Sequence, residues 1–143
     1  MSFEPTSLWA TVKPLWLAAL RSGKYEQGRS FLRNRDNKFC CLGVLCDVLI
    51  KNNLIEAKWV ENGLDSAYIL RFPGDSDDYD AFLPFPVCQL TGFSTNGSYL
   101  ARATGQRADL IDDNDERRRT FPQIAEIIEE HFPLPTSDVI EVP

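Results

Sequence analysis

The sequence predicts a single compact α+β domain with a cysteine-rich helix buried at its centre. Three observations predict this fold class. The 143 residues fit one domain, and a hydrophobic content of 43% is sufficient for a core. Apolar residues recur at helical spacing near both ends and within residues 39–52. Between these segments, short runs rich in aromatic and β-branched residues alternate with turn signals, which is typical of a small antiparallel sheet.

The first amphipathic helix is expected within Thr6–Ser22, with Gly23 as its C-terminal cap. Its apolar residues are Leu8, Trp9, Val12, Leu15, Trp16, Ala19 and Leu20. Both tryptophans are interpreted as core residues. Pro14 predicts either a kink or a restart of the helix near Val12, because an interior proline removes a hydrogen bond.

The cysteine-rich helix is predicted over Phe39–Asn52. Its buried side is formed by Leu42, Leu45, Cys46, Leu49 and Ile50. Asp47 and Lys51 are four residues apart, so they are expected to form an ion pair on a wet face near the C-terminal end. Gly43 costs about 1 kcal/mol relative to alanine in a helix, which predicts close approach of another backbone there.

The middle of the chain is expected to supply strands and one short helix. The predicted elements are strands Ala57–Glu61 and Ala67–Phe72 around an Asn62-Gly63 turn, a helix within Leu83–Phe93, and strands Ser98–Ala103 and Arg107–Ile111 around Gly105. Pro84 and Pro86 open the short helix and Gly92 ends it.

The closing helix begins with a capping-box pattern at Thr120–Gln123. Its apolar stripe is Phe121, Ile124, Ala125, Ile128 and Phe132, opposite Glu126, Glu129 and Glu130. Pro133 and Pro135 end the helix, and residues 134–143 are expected to form a loosely ordered tail. The whole of residues 1–143 is interpreted as one domain.

The four cysteines are interpreted as buried free thiols in a reducing compartment. Cys40 and Cys46 would lie about 9 Å apart along a helix, so only Cys88 could pair with one of the others.

The chain has one histidine and no paired ligand spacing, which predicts no metal site and no cofactor. His131 is interpreted as a partner of the helix dipole, and no catalytic residue is assigned. Whether the protein is an enzyme stays open, because paired carboxylates can carry acid–base chemistry without a sequence motif.

A basic block lies between residues 21 and 38 of a chain whose net charge is −6. Its six cations are Arg21, Lys24, Arg29, Arg33, Arg35 and Lys38, against only Glu26 and Asp36. Arginine forks suit phosphate oxygens, and the N-terminus of the following helix would add its dipole. The block therefore predicts a site for a small anionic ligand, formed by Tyr25, Gln27, Arg29, Arg33 and Lys38. Gly28 would admit the ligand, and Tyr25 and Phe31 could stack on a base.

Two alternatives to this anion site stay open. The block can be an ordinary solvated surface, in which Arg33 packs its stem on apolar neighbours. The protein can instead act through an acidic surface that imitates nucleic acid. That partner surface would use Asp75, Asp77, Asp78, Asp80, Asp112, Asp113 and Asp115, with Asp109 and Glu116 beside them. Calcium binding by residues 75–86 is not supported, because Tyr79 and Pro86 fall at ligand positions.

Charge and length exclude several classes of partner. A net charge of −6 argues against direct binding of nucleic acid. The apolar stretches fall below the roughly 20 residues that span a bilayer, and the N-terminus lacks a basic signal region. A protein that is soluble, works where it is made and makes no membrane contact is expected. A homo-oligomer is possible.

The basic block and the cysteine-rich run together resemble small proteins of bacteriophages and prophages. The likeness lies in Gly23-Lys24-Tyr25, Gln27-Gly28, Leu32-Arg33 and Phe39-Cys-Cys-Leu-Gly-Val-Leu-Cys-Asp47, and in Asp112-Asp-Asn-Asp115 followed by the closing helix. Residues 59–99 carry no such likeness. The resemblance implies an accessory viral protein in the bacterial cytoplasm that counters host defence by binding. The favoured ligand is a nucleotide-type immune signal; the alternatives are a host defence protein as target, or a nucleotide-modifying enzyme.

Overall fold

The computed structural model describes residues 3–61 and 67–135. The elements are α1 (Trp9–Arg21), β1 (Glu26–Gln27), β2 (Lys38–Phe39), α2 (Cys41–Lys51), β3 (Lys58–Glu61), β4 (Tyr68–Arg71), α3 (Phe85–Thr91), β5 (Ser98–Leu100), β6 (Arg107–Asp109), α4 (Leu110–Asp115) and α5 (Phe121–His131). The predicted α+β class with a single compact domain is confirmed. The predicted Asn62-Gly63 turn and most of the predicted tail, residues 136–143, lie outside the described residues.

Helix α2 is the centre of the core, as predicted. Every residue from Cys41 to Leu49 is buried, and the helix packs against α1 and α4. The predicted wet face is wrong at Asp47, whose exposure is only 7%. Ile50 lies at the edge of the core and is partly buried. The helix is also shorter than expected, because Phe39 belongs to β2 and Cys40 is the N-cap.

Gly43 makes the close backbone approach that its position in α2 predicted. An ideal Cβ on Gly43 would lie 1.8 Å from the carbonyl oxygen of Leu32. The same oxygen accepts a hydrogen bond from the Cys40 amide at 3.2 Å, and the Leu32 amide donates to Asp80 at 2.7 Å. The segment before β2 is thereby held directly against the first turn of α2.

Helices α1 and α5 close the core from the two ends of the chain. The indole of Trp9 donates to the carbonyl of Phe132 at 3.0 Å, and the indole of Trp16 donates to the carbonyl of Cys41 at 3.0 Å. Both tryptophans are fully buried, which confirms their assignment to the core. Helix α1 is continuous through Pro14, so the predicted restart near Val12 is wrong. The helix lies within the predicted range Thr6–Ser22, with Leu8 as its N-cap and Ser22 as its C-cap.

The strands form three separate two-stranded sheets among the described residues. Strands β3 and β4 are antiparallel, with Lys58 opposite Arg71, and β5 and β6 are antiparallel, with Ser98 opposite Asp109. Strands β1 and β2 pair in parallel, which the sequence did not predict. The second predicted hairpin strand is wrong beyond Asp109, because residues 110–115 form α4.

Helix α4 was not predicted, although its first residues carry a helix-start signal. Asp109 is its N-cap, and its carboxylate accepts a hydrogen bond from the Asp112 amide at 2.8 Å. An aspartate followed by acidic residues in the first turn is a favourable helix start. Helix α5 begins as predicted, with a complete capping box between Thr120 and Gln123.

The cysteines are free, as predicted. Cys40, Cys41 and Cys46 are buried and Cys88 is partly buried. Burial in apolar surroundings raises the pKa of Cys40 to about 12 and the pKa of Cys88 to about 11.

Within residues 3–61 and 67–135, no group of three His, Cys, Asp or Glu side chains is placed to hold a metal ion. Over the same residues, no helix has the length and apolar character needed to cross a membrane.

Substitution of Gly43 by alanine tests the contact with Leu32. Helix propensity alone would favour alanine by about 1 kcal/mol. Because the new Cβ would overlap the Leu32 carbonyl, we expect Gly43→Ala instead to lower the free energy of unfolding by about 1–3 kcal/mol. Urea denaturation measures the difference.

The control is Gly74→Ala, where a Cβ would meet no atom within 4 Å. That variant should lose about 1–2 kcal/mol, from the left-handed backbone alone, and shows the cost of a Cβ that overlaps no atom. A Gly43→Ala protein as stable as the wild type would contradict the close approach.

Candidate ligand-binding site

The basic block is held in place by the buried side chain of Asn114 in α4. Its Oδ1 accepts hydrogen bonds from Gln27 Nε2 at 2.8 Å and from the Cys41 amide at 3.2 Å. Its Nδ2 donates to the Gly28 carbonyl at 2.8 Å and to Asp115 Oδ1 at 2.8 Å. One amide therefore ties β1 to the start of α2.

This arrangement closes the N-terminus of α2 to a ligand. The Cys41 amide is bonded to Asn114, and the Gly43 amide donates to Cys40 Sγ at 3.4 Å. The predicted contribution of these amides to an anion site is therefore wrong. The role predicted for Gly28 is also wrong, because a Cβ there would lie 2.8 Å from Lys38 Cβ, and its φ is not positive. Gly28 is small because β2 packs against it.

A different cavity is lined by two of the predicted ligand-binding residues, Tyr25 and Arg33. We call it the Tyr25 cavity, and its volume is about 400 Å3. It is lined by Lys24, Tyr25, Glu26, Arg33, Asn37, Phe39, Asp47 and Lys51. Three lining residues are cationic and two are anionic, so the lining is weakly positive. Lys51 comes from the C-terminal end of α2, which is far from the basic block in sequence.

Asp47 forms the floor of the Tyr25 cavity. Its carboxylate accepts hydrogen bonds from the Tyr25 hydroxyl at 2.6 Å and from the Trp59 indole at 3.0 Å, and pairs with Lys51 at 3.1 Å. Burial favours the neutral acid, but these hydrogen bonds and the charge of Lys51 outweigh it and lower the pKa of Asp47. Burial and the hydrogen bond to Asp47 raise the pKa of Tyr25 to about 12. The floor is thus an ionised carboxylate under a neutral phenol.

Arg33 forms one wall of the Tyr25 cavity and is fixed by aromatic rings. Its guanidinium carbon lies 4.1 Å from the centre of the Tyr68 ring and within 6 Å of the Phe39 and Trp59 rings. Its Nη2 donates to Asn37 Oδ1 at 2.7 Å. Arg33 therefore packs on its neighbours through its guanidinium, while the predicted packing of its stem on apolar surface stays a prediction. The packing also leaves the guanidinium at the cavity surface, where a ligand can contact it.

The other predicted ligand residues do not line the Tyr25 cavity. Gln27 is occupied by Asn114 and by the carbonyl of Arg119 at 2.8 Å. Arg29 and Lys38 are exposed elsewhere on the segment, and Phe31 is partly buried. The structure brings together Tyr25 and Arg33 from the predicted set. Lys24, Asn37 and Lys51 were missed, and the i, i+4 spacing of Asp47 and Lys51 was the available signal for the last of them.

The predicted acidic partner surface is interrupted by a buried residue. Asp113 is fully buried, where it accepts a hydrogen bond from the Tyr99 hydroxyl and pairs with Arg117 at 3.2 Å. Its place in a partner surface is therefore wrong. The remaining carboxylates of the set are exposed or partly exposed, namely Asp75, Asp77, Asp78, Asp80, Asp112 and Asp115. Asp78 is paired with Arg71 at 2.8 Å.

His131 is held by two backbone groups. Its Nε2 accepts a hydrogen bond from the Arg102 amide at 3.1 Å, and its Nδ1 lies 3.0 Å from the Ile127 carbonyl. These partners select the tautomer in which Nδ1–H donates to Ile127. The imidazole thus contacts a carbonyl in the last turn of α5 directly, and its predicted interaction with the helix dipole stays a prediction.

A family model described as Domain of unknown function (DUF8296) matches residues 8–132. The chain belongs to this family. The DUF8296 match begins at the N-cap of α1 and ends at the C-cap of α5, so it contains every described helix and strand and all residues of the Tyr25 cavity. No curated protein and no solved structure matches the chain.

Replacement of Asp47 by asparagine tests the ionised floor of the Tyr25 cavity. At neutral pH we expect Asp47→Asn to lower the free energy of unfolding by about 2 kcal/mol, since charged hydrogen bonds are lost. The folded pKa of Asp47 lies below its ordinary 3.8. The stability due to its charge is therefore complete above about pH 5 and is lost as pH falls through the folded pKa. Denaturation at several pH values should show the gap to wild type narrowing below about pH 4.

Asp36→Asn is the control for this substitution, because it removes an exposed carboxylate and should leave stability nearly unchanged. If the gap between Asp47→Asn and wild type stays constant down to about pH 3, the charge of Asp47 does not contribute to stability.

Replacement of Asn114 by alanine tests the link between β1 and α2. The variant leaves the buried Cys41 amide and Gly28 carbonyl without these partners, so we expect a loss of about 2 kcal/mol or more. Gln27→Ala removes only one of the four hydrogen bonds of Asn114, together with an exposed bond to the Arg119 carbonyl, and should cost less. Thermal melts of the two variants compare them, and equal melting temperatures would argue against a central role for Asn114.

Proposed function

We propose that this DUF8296 protein is a phage accessory protein that counters bacterial host defence by sequestering a small anionic ligand of nucleotide type in the Tyr25 cavity. The observation that carries the proposal is the convergence of Lys24, Arg33 and Lys51 around the aromatic rings of Tyr25 and Phe39. Ammonium and guanidinium groups provide donors for phosphate oxygens, and the rings provide a surface for a base.

The cavity is organised before a ligand arrives. The guanidinium of Arg33 is held between aromatic rings and Asn37. Asp47 holds Lys51 and the Tyr25 hydroxyl, and Lys51 also lies 5.2 Å from the centre of the Tyr25 ring. Side chains that are already ordered lose little entropy on binding, so their hydrogen bonds contribute more fully to affinity.

The phage assignment is supported by the resemblance of the basic block and cysteine-rich run to phage and prophage proteins. Much of that pattern has a packing role here, including Gly28, Leu32 and Gly43. Among its polar members, Lys24, Tyr25, Arg33 and Asp47 line the Tyr25 cavity, whereas Gln27 is bonded to Asn114 and lies outside the cavity. The pattern thus contains residues that pack in the core and residues that line the Tyr25 cavity.

The alternative of a protein target engaged through an acidic surface has less support. Burial of Asp113 interrupts the group formed by Asp112, Asp113 and Asp115. Asp78 is already paired with Arg71. A host defence protein as target, and a nucleotide-modifying activity, remain distinct outcomes of the experiment below.

Incubation of the pure protein with a defined set of linear and cyclic nucleotides tests the proposal. After gel filtration and heat denaturation, chromatography identifies what the protein retained. Intact nucleotide indicates sequestration and altered nucleotide indicates turnover. If no nucleotide is retained, sequestration is wrong and a protein target is favoured.

A pair of double variants tests whether the Tyr25 cavity is the site. We expect Lys24→Ala with Lys51→Ala to weaken retention at least about tenfold, because each charged hydrogen bond contributes about 1.5–3 kcal/mol. The matched control is Arg29→Ala with Lys38→Ala, which removes the same charge from exposed residues outside the cavity. Equal retention by both double variants would contradict the assignment of the site.

A further inference from the structure

A second concave surface lies between the β5–β6 hairpin and α5. It consists of two cavities of about 580 Å3 and 470 Å3. Both are lined by Tyr99, Arg102 and His131, so they adjoin each other, and together we call them the hairpin groove. Cavities of a few hundred cubic ångströms match the size of small-molecule ligands.

One side of the hairpin groove is rich in arginine. Arg102 and Arg107 come from the hairpin, and Arg117 and Arg119 come from the segment between α4 and α5. Among the residues that the structure describes, Glu130 is the single acidic one in the lining. Four guanidinium groups against one carboxylate make this a strongly positive surface on an acidic chain. In sequence these arginines are divided between two segments, so the cluster exists only in the folded protein.

Two of the four arginines are available to a ligand. Arg117 pairs with the buried Asp113 at 3.2 Å, and Arg102 pairs with Glu130 at 3.5 Å. Among the described residues, the guanidinium groups of Arg107 and Arg119 form no ion pair. The backbone that carries Arg119 is fixed, since its amide donates to Asp113 and its carbonyl accepts from Gln27, both at 2.8 Å.

The larger cavity of the hairpin groove has an apolar side. Phe3, Leu100 and Pro133 line that side, while Arg102, Arg107, Glu130 and His131 line the rest of the cavity. Leu100 is 63% exposed, and an aromatic or heterocyclic ring placed there would cover it. The groove therefore offers apolar side chains on one side and arginines on the other, with Arg107 in the lining of both cavities.

We infer that the hairpin groove binds a nucleoside polyphosphate, with the base at the Phe3–Leu100–Pro133 side and the phosphates at Arg107 and Arg119. The planar forks of arginine match phosphate oxygens in pairs. A small ligand fits better than a nucleic-acid strand, because a chain of net charge −6 repels an extended polyanion. The groove shares no lining residue with the Tyr25 cavity, so this site is independent of the proposed function.

Calorimetric titration with ATP and GTP tests the inference on the full chain. Wild type should bind at least one of them, inorganic triphosphate should bind at least about tenfold more weakly, and adenosine and guanosine should show no measurable binding. Failure of both nucleotides to bind would overturn the site. Triphosphate binding as tight as that of the nucleotide would overturn the placement of the base.

Arg107→Ala combined with Arg119→Ala should weaken nucleotide binding at least about tenfold without changing the thermal melt, because both side chains are exposed. The matched control, Arg29→Ala with Lys38→Ala, should bind like the wild type. Lys24→Ala with Lys51→Ala should keep the component of nucleotide binding that the Arg107/Arg119 variant loses, and should lose only a component that belongs to the Tyr25 cavity. If the Arg107/Arg119 pair binds normally while the Lys24/Lys51 pair does not, the nucleotide occupies the Tyr25 cavity and the hairpin groove is not its site. Loss of binding confined to the Arg107/Arg119 pair supports the groove whether or not the Tyr25 cavity binds any ligand.

Discussion

The contact between Gly43 and the Leu32 carbonyl is the constraint on which the rest of the structure depends. It allows the segment before β2 to lie directly on the central helix, which no side chain at position 43 would permit. From there the segment is connected in three directions. The Leu32 amide bonds to Asp80, the Arg33 carbonyl accepts from the Tyr68 amide at 2.8 Å, and the Cys40 amide returns to Leu32. The place of Arg33 among the aromatic rings follows from this arrangement, so a packing constraint inside the core determines the geometry of a surface cavity.

Buried polar side chains explain how such short sheets are held together. Each described sheet has only two strands, and a two-stranded sheet is marginal in isolation. Asn114 connects β1 to α2, Asp47 connects α2 to β3 through Trp59, and Asp113 connects α4 to β5 through Tyr99. Hydrogen bonds inside a core are strong when every donor and acceptor is satisfied. The small sheets are therefore fixed to the helices by side-chain hydrogen bonds, whereas a larger sheet is stabilised by the backbone hydrogen bonds between its own strands.

Periodicity and capping patterns were enough to predict α1, α2 and α5, because each has a long apolar stripe or a capping box of its own. Helix α4 was missed because three of its six residues are acidic, and its inward-facing residues include Asp113 and Asn114, which are polar. The burial of Asp47 depends on Tyr25 and Trp59, whose approach is a tertiary event that no local pattern contains. Charge counted along the chain identified the basic block but not its geometry. Folding separates Arg29 and Lys38 from the cavity and brings Lys51 into it.

The reactivity of the thiols of Cys40, Cys41 and Cys46 can be used to measure how often the native core opens. Only the thiolate reacts readily with alkylating reagents, and burial both raises the pKa of these groups and excludes the reagent. Alkylation therefore has to wait until the packing of α1 against α2 opens. Its rate would follow the opening equilibrium of the core, while partly buried Cys88 reports on α3 separately. Mass spectrometry of the alkylated chain can thus resolve local from global opening with the natural residues alone.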